Sequence, residues 1–198
     1  MNRYLLVAGA AALVLVGCNK SGPAADNAAS TAAPAHPDAV ALAGSPSDAD
    51  PLAVPAPVLV ENAGVDDMFE MKASELAAKK SKSNDVKGYA KALADDHKKS
   101  FDALKDAIKD AGKGLEAPTE LSEEKEAMLS DLDKVPDTLF DTMYLTQQVT
   151  LHSDLENLLT HYAAAGGEPA IKTFAGKMAP DEQKHLDRAH AIQTKLAK

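Results

Sequence analysis

Three histidines stand where a helical core would ordinarily place a leucine. His97 interrupts a stripe of Val86, Ala90, Leu93, Phe101, Leu104 and Ile108, whose three-and-four spacing lines one face of an α-helix. His185 falls on the line Met178, Glu182, His185, Ala189 and Ile192, so Glu182 and His185 present a carboxylate and an imidazole one turn apart. His152 lies along a line with Asp141 and Gln148. Carboxylates and imidazoles on facing helices are the donors with which helical bundles hold transition metals. Glu70 joins the group by its level. It lies 13 residues before a turn at Ser83 and His97 lies 14 after, so an antiparallel hairpin rising about 1.5 Å per residue sets both at one height. His152, 14 residues before Gly166, and Glu182, 15 after Gly167, share a level in the same way.

The candidate metal ligands are therefore Glu70, His97, His152, Glu182 and His185, with iron, copper or zinc as the ion and Asp141, Tyr144 and Gln148 as a supporting polar core. A full di-iron set is not present. Three residues before His97 stands Ala94 instead of a carboxylate, and the third helix offers Asp141, Gln148 and His152 in place of a bridging glutamate. A mononuclear site of His97, His152, His185 and one carboxylate stays open. So does a simpler reading without any cofactor, in which the imidazoles hydrogen-bond across the core to Glu70, Asp141 or Tyr144 and fix the helix register. His36 falls in a linker, His161 and His190 face solvent, and Asp95 and Asp96 belong to a solvated face. Nothing resembles a nucleophile elbow or a phosphate loop, so no catalytic residue is assigned and enzymatic activity is not expected.

The elements that must position these residues are helices throughout. Asp66 or Asp67 caps a first helix whose core face is Val65, Met68, Phe69, Ala73 and Leu76. Ser83 or Asn84 starts the second, and Gly112 ends it. Residues 112–136 form a connection with a short helix of its own, capped by Ser122 and carrying Glu123 and Glu124 in the favourable first turn. A long helix from Pro136 stops at Gly166-Gly167, with Phe140, Tyr144, Leu151, Leu155, Leu158 and Tyr162 inward. Pro169 opens the last, carrying Ile171, Phe174 and Met178, and Pro180 interrupts it before Leu186, Ala189, Ile192 and Leu196. No segment alternates with the period of a strand. The expected fold is all-α, a ferritin-like four-helix bundle with a short extra helix between its two hairpins.

The bundle is expected over 65–198. Residues 18–64 hold seven of the 11 prolines and no aromatic residue, the composition of a disordered tether, and Pro51, Pro55 and Pro57 bar a helix there. Before it, Arg3 supplies a positive start and residues 4–17 form an apolar run too short to span a bilayer. That run ends in Leu15-Val16-Gly17-Cys18, which resembles the lipobox of bacterial lipoproteins. Residues 1–17 then read as a signal peptide, and Cys18, the one cysteine of the chain, as the lipidated, palmitate-bearing N-terminus. Asn19 in place of Asp resembles lipoproteins sorted to the outer membrane, facing the periplasm. A net charge of −9 excludes nucleic acid as a partner, because a basic face is needed to displace its counterions. The membrane is met through lipid alone, and the residues point to no particular protein partner.

Several of these residues resemble the bacterial DUF4142 domain: Glu70 with Ala77, Val86-Lys87-Gly88-Tyr89-Ala90, Asp95-Asp96-His97, Phe140-Asp141 with Tyr144, Gln148, His152, and Pro180 followed by His185. The resemblance covers residues 66–192 and implies a ferritin-like bundle in an exported protein of unassigned activity; Glu182 matches no position of its pattern. The function expected from the whole chain is a lipid-anchored, non-enzymatic envelope or interaction module, with a metal-binding protein as the alternative.

Overall fold

The computed structural model describes residues 54–112 and 114–198, so the segment expected to be a signal peptide, Cys18 and most of the expected tether lie outside the described residues. Within them the chain is helical: α1 (Ala56–Lys80), α2 (Asn84–Ala111), α3 (Glu123–Lys134), α4 (Asp137–Ala165) and α5 (Pro169–Leu196). The four long helices form two antiparallel hairpins, α1–α2 and α4–α5, packed so that α2 also meets α5 and α1 meets α4. Helix α3 lies in the connection and rests mainly on α1, as expected for the extra helix. None of these helices is long and apolar enough to cross a membrane.

Local chemistry sets most boundaries. The Ser83 hydroxyl accepts from the Val86 amide, and that of Ser122 accepts from the Lys125 amide, each satisfying a first-turn donor. Gly112 closes α2 at φ 61°, a left-handed conformation that a side chain would disfavour. Gly64, inside α1, is needed for a different reason: a Cβ there would stand 2.5 Å from the Pro118 ring, where the connection crosses the helix.

Two boundaries differ from the sequence expectation. Helix α1 begins at Ala56, nine residues before the domain start expected at 65, with Pro55 as N-cap and Pro57 in the first turn. Proline is harmless there, because first-turn amides have no partner inside the helix. Asp66 and Asp67 are accordingly mid-helix residues and cap nothing. Pro180, expected to interrupt the last helix, lies inside an unbroken α5. Its ring is exposed, and the buried residues Ala175 and Ala179 before it and Ala189 and Ile192 after it hold both halves in the bundle against a cost of about 3 kcal/mol.

The early start of α1 has a measurable consequence. Leu59, Val60 and Ala63 are at most 2% exposed and pack with Leu104, Leu159 and Tyr162. Removing residues 54–64 should therefore lower stability by at least about 3 kcal/mol, the value of burying two such aliphatic side chains. Urea denaturation of chains beginning at Val54 and at Val65 measures it; equal midpoints would show that α1 needs no more than its second half.

Candidate metal centre

The buried apolar residues form two clusters, one at each end of the bundle. One gathers Phe69, Val86, Leu93, Phe140 and Tyr144; the other gathers Leu59, Leu104, Leu155, Ile171 and Phe174. Each long helix places buried polar residues between them: Asp67 and Glu70 on α1, His97 and Ser100 on α2, Gln148 and His152 on α4, Glu182 on α5. Pairs spaced three or four apart lie on one helix face, so each helix brings its donors to the same layer.

Within that layer the three imidazoles form a close triangle. Ring centroids are 5.5 Å apart for His97 and His152, 5.3 Å for His97 and His185, and 5.2 Å for His152 and His185. Three imidazole nitrogens held about 2.0–2.1 Å from one tetrahedral ion would set their centroids about 5 Å apart. One donor atom from each of His97, His152, Glu182 and His185 lies within 4.8 Å of all the others.

Each ring is held from outside by one nitrogen. His97 Nδ1 is 2.9 Å from Asp67 Oδ1. His185 Nε2 faces Asp96 Oδ2 at 3.5 Å. His152 Nε2 is 3.2 Å from Gln148 Oε1, and the amide of Gln148 donates from Nε2 to Glu70 Oε1 at 3.0 Å. Because Glu70 accepts from the Gln148 nitrogen, the Gln148 oxygen is left to accept from His152, which fixes the Nε2–H tautomer. In a neutral ring the other nitrogen is then a lone pair. His97 Nε2 and His185 Nδ1 are buried with no hydrogen-bond partner, and His152 Nδ1 lies 2.8 Å from Glu182 Oε2. A lone pair facing a carboxylate oxygen at that distance is two acceptors in contact. A proton or a cation must sit between them.

Electrostatics sorts the three rings. Burial alone would lower His97, but its bond to Asp67 and the charges of Glu182, Asp67 and Glu70 outweigh it and raise the pKa to about 9. Burial lowers His152 to about 4, with the His97 charge adding to it against the opposing pull of Glu70. Burial and then His97 likewise bring His185 to about 4. Burial raises Asp67 to about 6 despite its bond to His97, and it raises Glu70 and Glu182 as well. His152 and His185 are thus neutral at pH 7, the form that ligates metal.

Of the residues expected at the site, His97, His152, Glu182 and His185 come together. Glu70 does not join the four; it reaches them only through Gln148. Gln148, expected in the supporting core, lies between His152 and Glu70 and bonds both. Tyr144 and Asp141 belong elsewhere. The Tyr144 hydroxyl is 3.2 Å from Ser74 Oγ inside the apolar cluster, and Asp141 is partly buried about 16 Å along α4 from His152. His161 and His190 are exposed, as expected. The sequence pattern does not single out Asp67, which reads as a cap, or Asp96, which reads as solvated surface. One signal was present for Asp67: it and His97 each lie 15 residues from Lys82, the middle of the turn Ser81–Ser83.

The profile of a family described as a domain of unknown function, DUF4142, matches residues 41–192, more than half the chain. The chain belongs to the DUF4142 family. No curated protein and no solved structure matches it closely enough to add an activity. All of the residues gathered in the polar layer fall inside the DUF4142 match, whose start at 41 also accords with ordered helix well before residue 65.

Proposed function

We propose that this DUF4142 protein binds one divalent transition-metal ion through His97, His152, His185 and Glu182. The observation that carries the reading is the triangle of imidazoles, each tethered outward by one nitrogen with the other left for the centre. Outer-side partners of this kind orient metal-bound histidines and select their tautomer. A polar layer that merely set register would pair its own atoms, since each buried polar group without a partner costs about 1–3 kcal/mol. Three imidazoles and one carboxylate favour zinc, copper(II) or iron(II) over magnesium or calcium, which take oxygen donors. With no metal present, His97 is the proton carrier among the acids. The ion takes its place.

Metal content tests the reading. The purified protein, stripped and then offered Zn²⁺, Cu²⁺ or Fe²⁺ in turn, should retain close to one ion per chain after desalting. His185→Ala should retain roughly a tenth of that or less, since removal of one of four donors weakens a site severely. Wild type that emerges empty with all three ions refutes the centre.

The second part of the proposal is the address: an outer-membrane lipoprotein whose bundle stands in the periplasm on a tether. Leu15-Val16-Gly17-Cys18 supports it, because a single cysteine after an apolar run has no other use in this sequence. Cys18→Ser should abolish fatty-acid labelling and release the protein from membranes. Retention of label in that variant would remove the anchor.

A further inference from the structure

A cleft of about 560 Å³ opens between α2 and α5, with His97, Glu182 and His185 on its wall. His97 and Glu182 are almost fully buried, so they form its floor, while the exposed side chains of Lys99, Lys184 and Arg188 form its rim. The space is within the range that holds small organic ligands, and larger than passage of an ion requires.

Charge decides what fits. Three carboxylates and three basic side chains line the cleft, but most are already matched. Lys99 pairs with Asp96 at 2.9 Å and Lys184 with Asp181 at 2.6 Å. Glu182 turns its Oε2 to His152. Arg188 is left without an ion pair among the described residues. It is nevertheless held in place, its guanidinium 5.5 Å from the centre of the Tyr89 ring, while the Tyr89 hydroxyl donates to the carbonyl of His185 at 3.1 Å. Glu182, His185 and Arg188 follow one another at intervals of three along α5, about one turn each, so the guanidinium stands within a small molecule's length of the floor.

We infer that this cleft binds a small carboxylate, gripped by the Arg188 fork at the rim and drawn by the ion at the floor. The inference rests on the metal centre proposed above. A planar guanidinium pairs with a carboxylate through two parallel hydrogen bonds, which a lysine does not reproduce. A carboxylate brings one negative charge into a cleft that already holds three acidic side chains, whereas phosphate brings nearly two.

Co²⁺ in place of the native ion makes the test optical. Protein carrying one Co²⁺ per chain is titrated with acetate and, separately, with phosphate, following the visible absorption of the bound ion. Acetate should change the spectrum saturably and at lower concentration than phosphate. In Arg188→Ala the acetate dissociation constant should rise about tenfold, the loss of a charged hydrogen-bonded pair, with Co²⁺ stoichiometry unchanged; Arg188→Lys should recover part of it. A loaded wild type whose spectrum ignores acetate, an equal response in Arg188→Ala, or tighter binding of phosphate would overturn the carboxylate site while leaving the metal centre standing. Protein that takes up no Co²⁺ overturns both.

Discussion

Saturation with Zn²⁺ should raise the melting temperature of the wild-type protein by about 5–10 °C. The estimate follows from linkage: a ligand that binds only the folded state at 100 times its dissociation constant adds about 2.7 kcal/mol, and roughly 2–4 °C accompany each kcal/mol in a chain of this size. The unfolded chain has no comparable site, because His97, His152 and the Glu182–His185 pair lie on three different helices. His97→Ala and His185→Ala should each lose the Zn²⁺-dependent increment while keeping a cooperative transition. Scanning calorimetry with and without Zn²⁺ decides it. A wild-type melting temperature indifferent to Zn²⁺, Cu²⁺ and Fe²⁺ would favour the polar-layer reading, in which the imidazoles serve register alone.

The largest single effect on the metal-free protein is expected at Asp67. Both Asp67 and His97 are about 1% exposed and 2.9 Å apart, and nothing else bonds His97 Nδ1. Removing one partner of a buried ion pair leaves the other charged and without its hydrogen bond, which costs about 3–5 kcal/mol. Asp67→Ala should therefore shift the urea midpoint more than any other substitution in the layer, and Asp67→Asn, which keeps an acceptor for Nδ1, should shift it less. Metal affinity should fall about 10–100-fold, since the partner that orients His97 is gone. The same reasoning applies to His97→Leu. Leucine fills the seam but strands the Asp67 carboxylate, so the single substitution is costly and His97→Leu with Asp67→Leu should recover much of the loss. If Asp67→Ala and wild type unfold at the same urea concentration, the pair is not an ion pair in solution.

Much of the architecture was legible because its signals are local. Ser83, Ser122 and Gly112 satisfy backbone groups within their own turns, and the stripes Leu93–His97–Leu104 and Phe140–Leu151–Leu155 state which face of each helix is buried. The donors were legible for the same reason. A histidine on a core face is anomalous wherever it occurs, and His97, His152 and His185 each announced themselves singly.

What the sequence left open depends on contacts between elements. The prolines before residue 58 argue against a helix by local rules, yet Leu59 and Val60 reach a core formed by α2 and α4, and their burial carries α1 back to Ala56. Pro180 breaks no helix for the same reason, since Ala179 and Ala189 on either side of it are buried in the bundle. The choice between Asp67 and Glu70 as the partner of His97 is one helical turn, and it was settled by where the Ser81–Ser83 turn has its centre. Which nitrogen each imidazole turns inward was beyond any spacing argument. A ring nitrogen is committed by the group that faces it, and here Asp67 on α1 commits His97, Gln148 with Glu70 behind it commits His152, and Asp96 on α2 commits His185. The sequence determined that donors would meet inside a bundle of helices; only the packing of those helices decided which lone pairs face one another, because a hydrogen bond between helices has no signature in either helix alone.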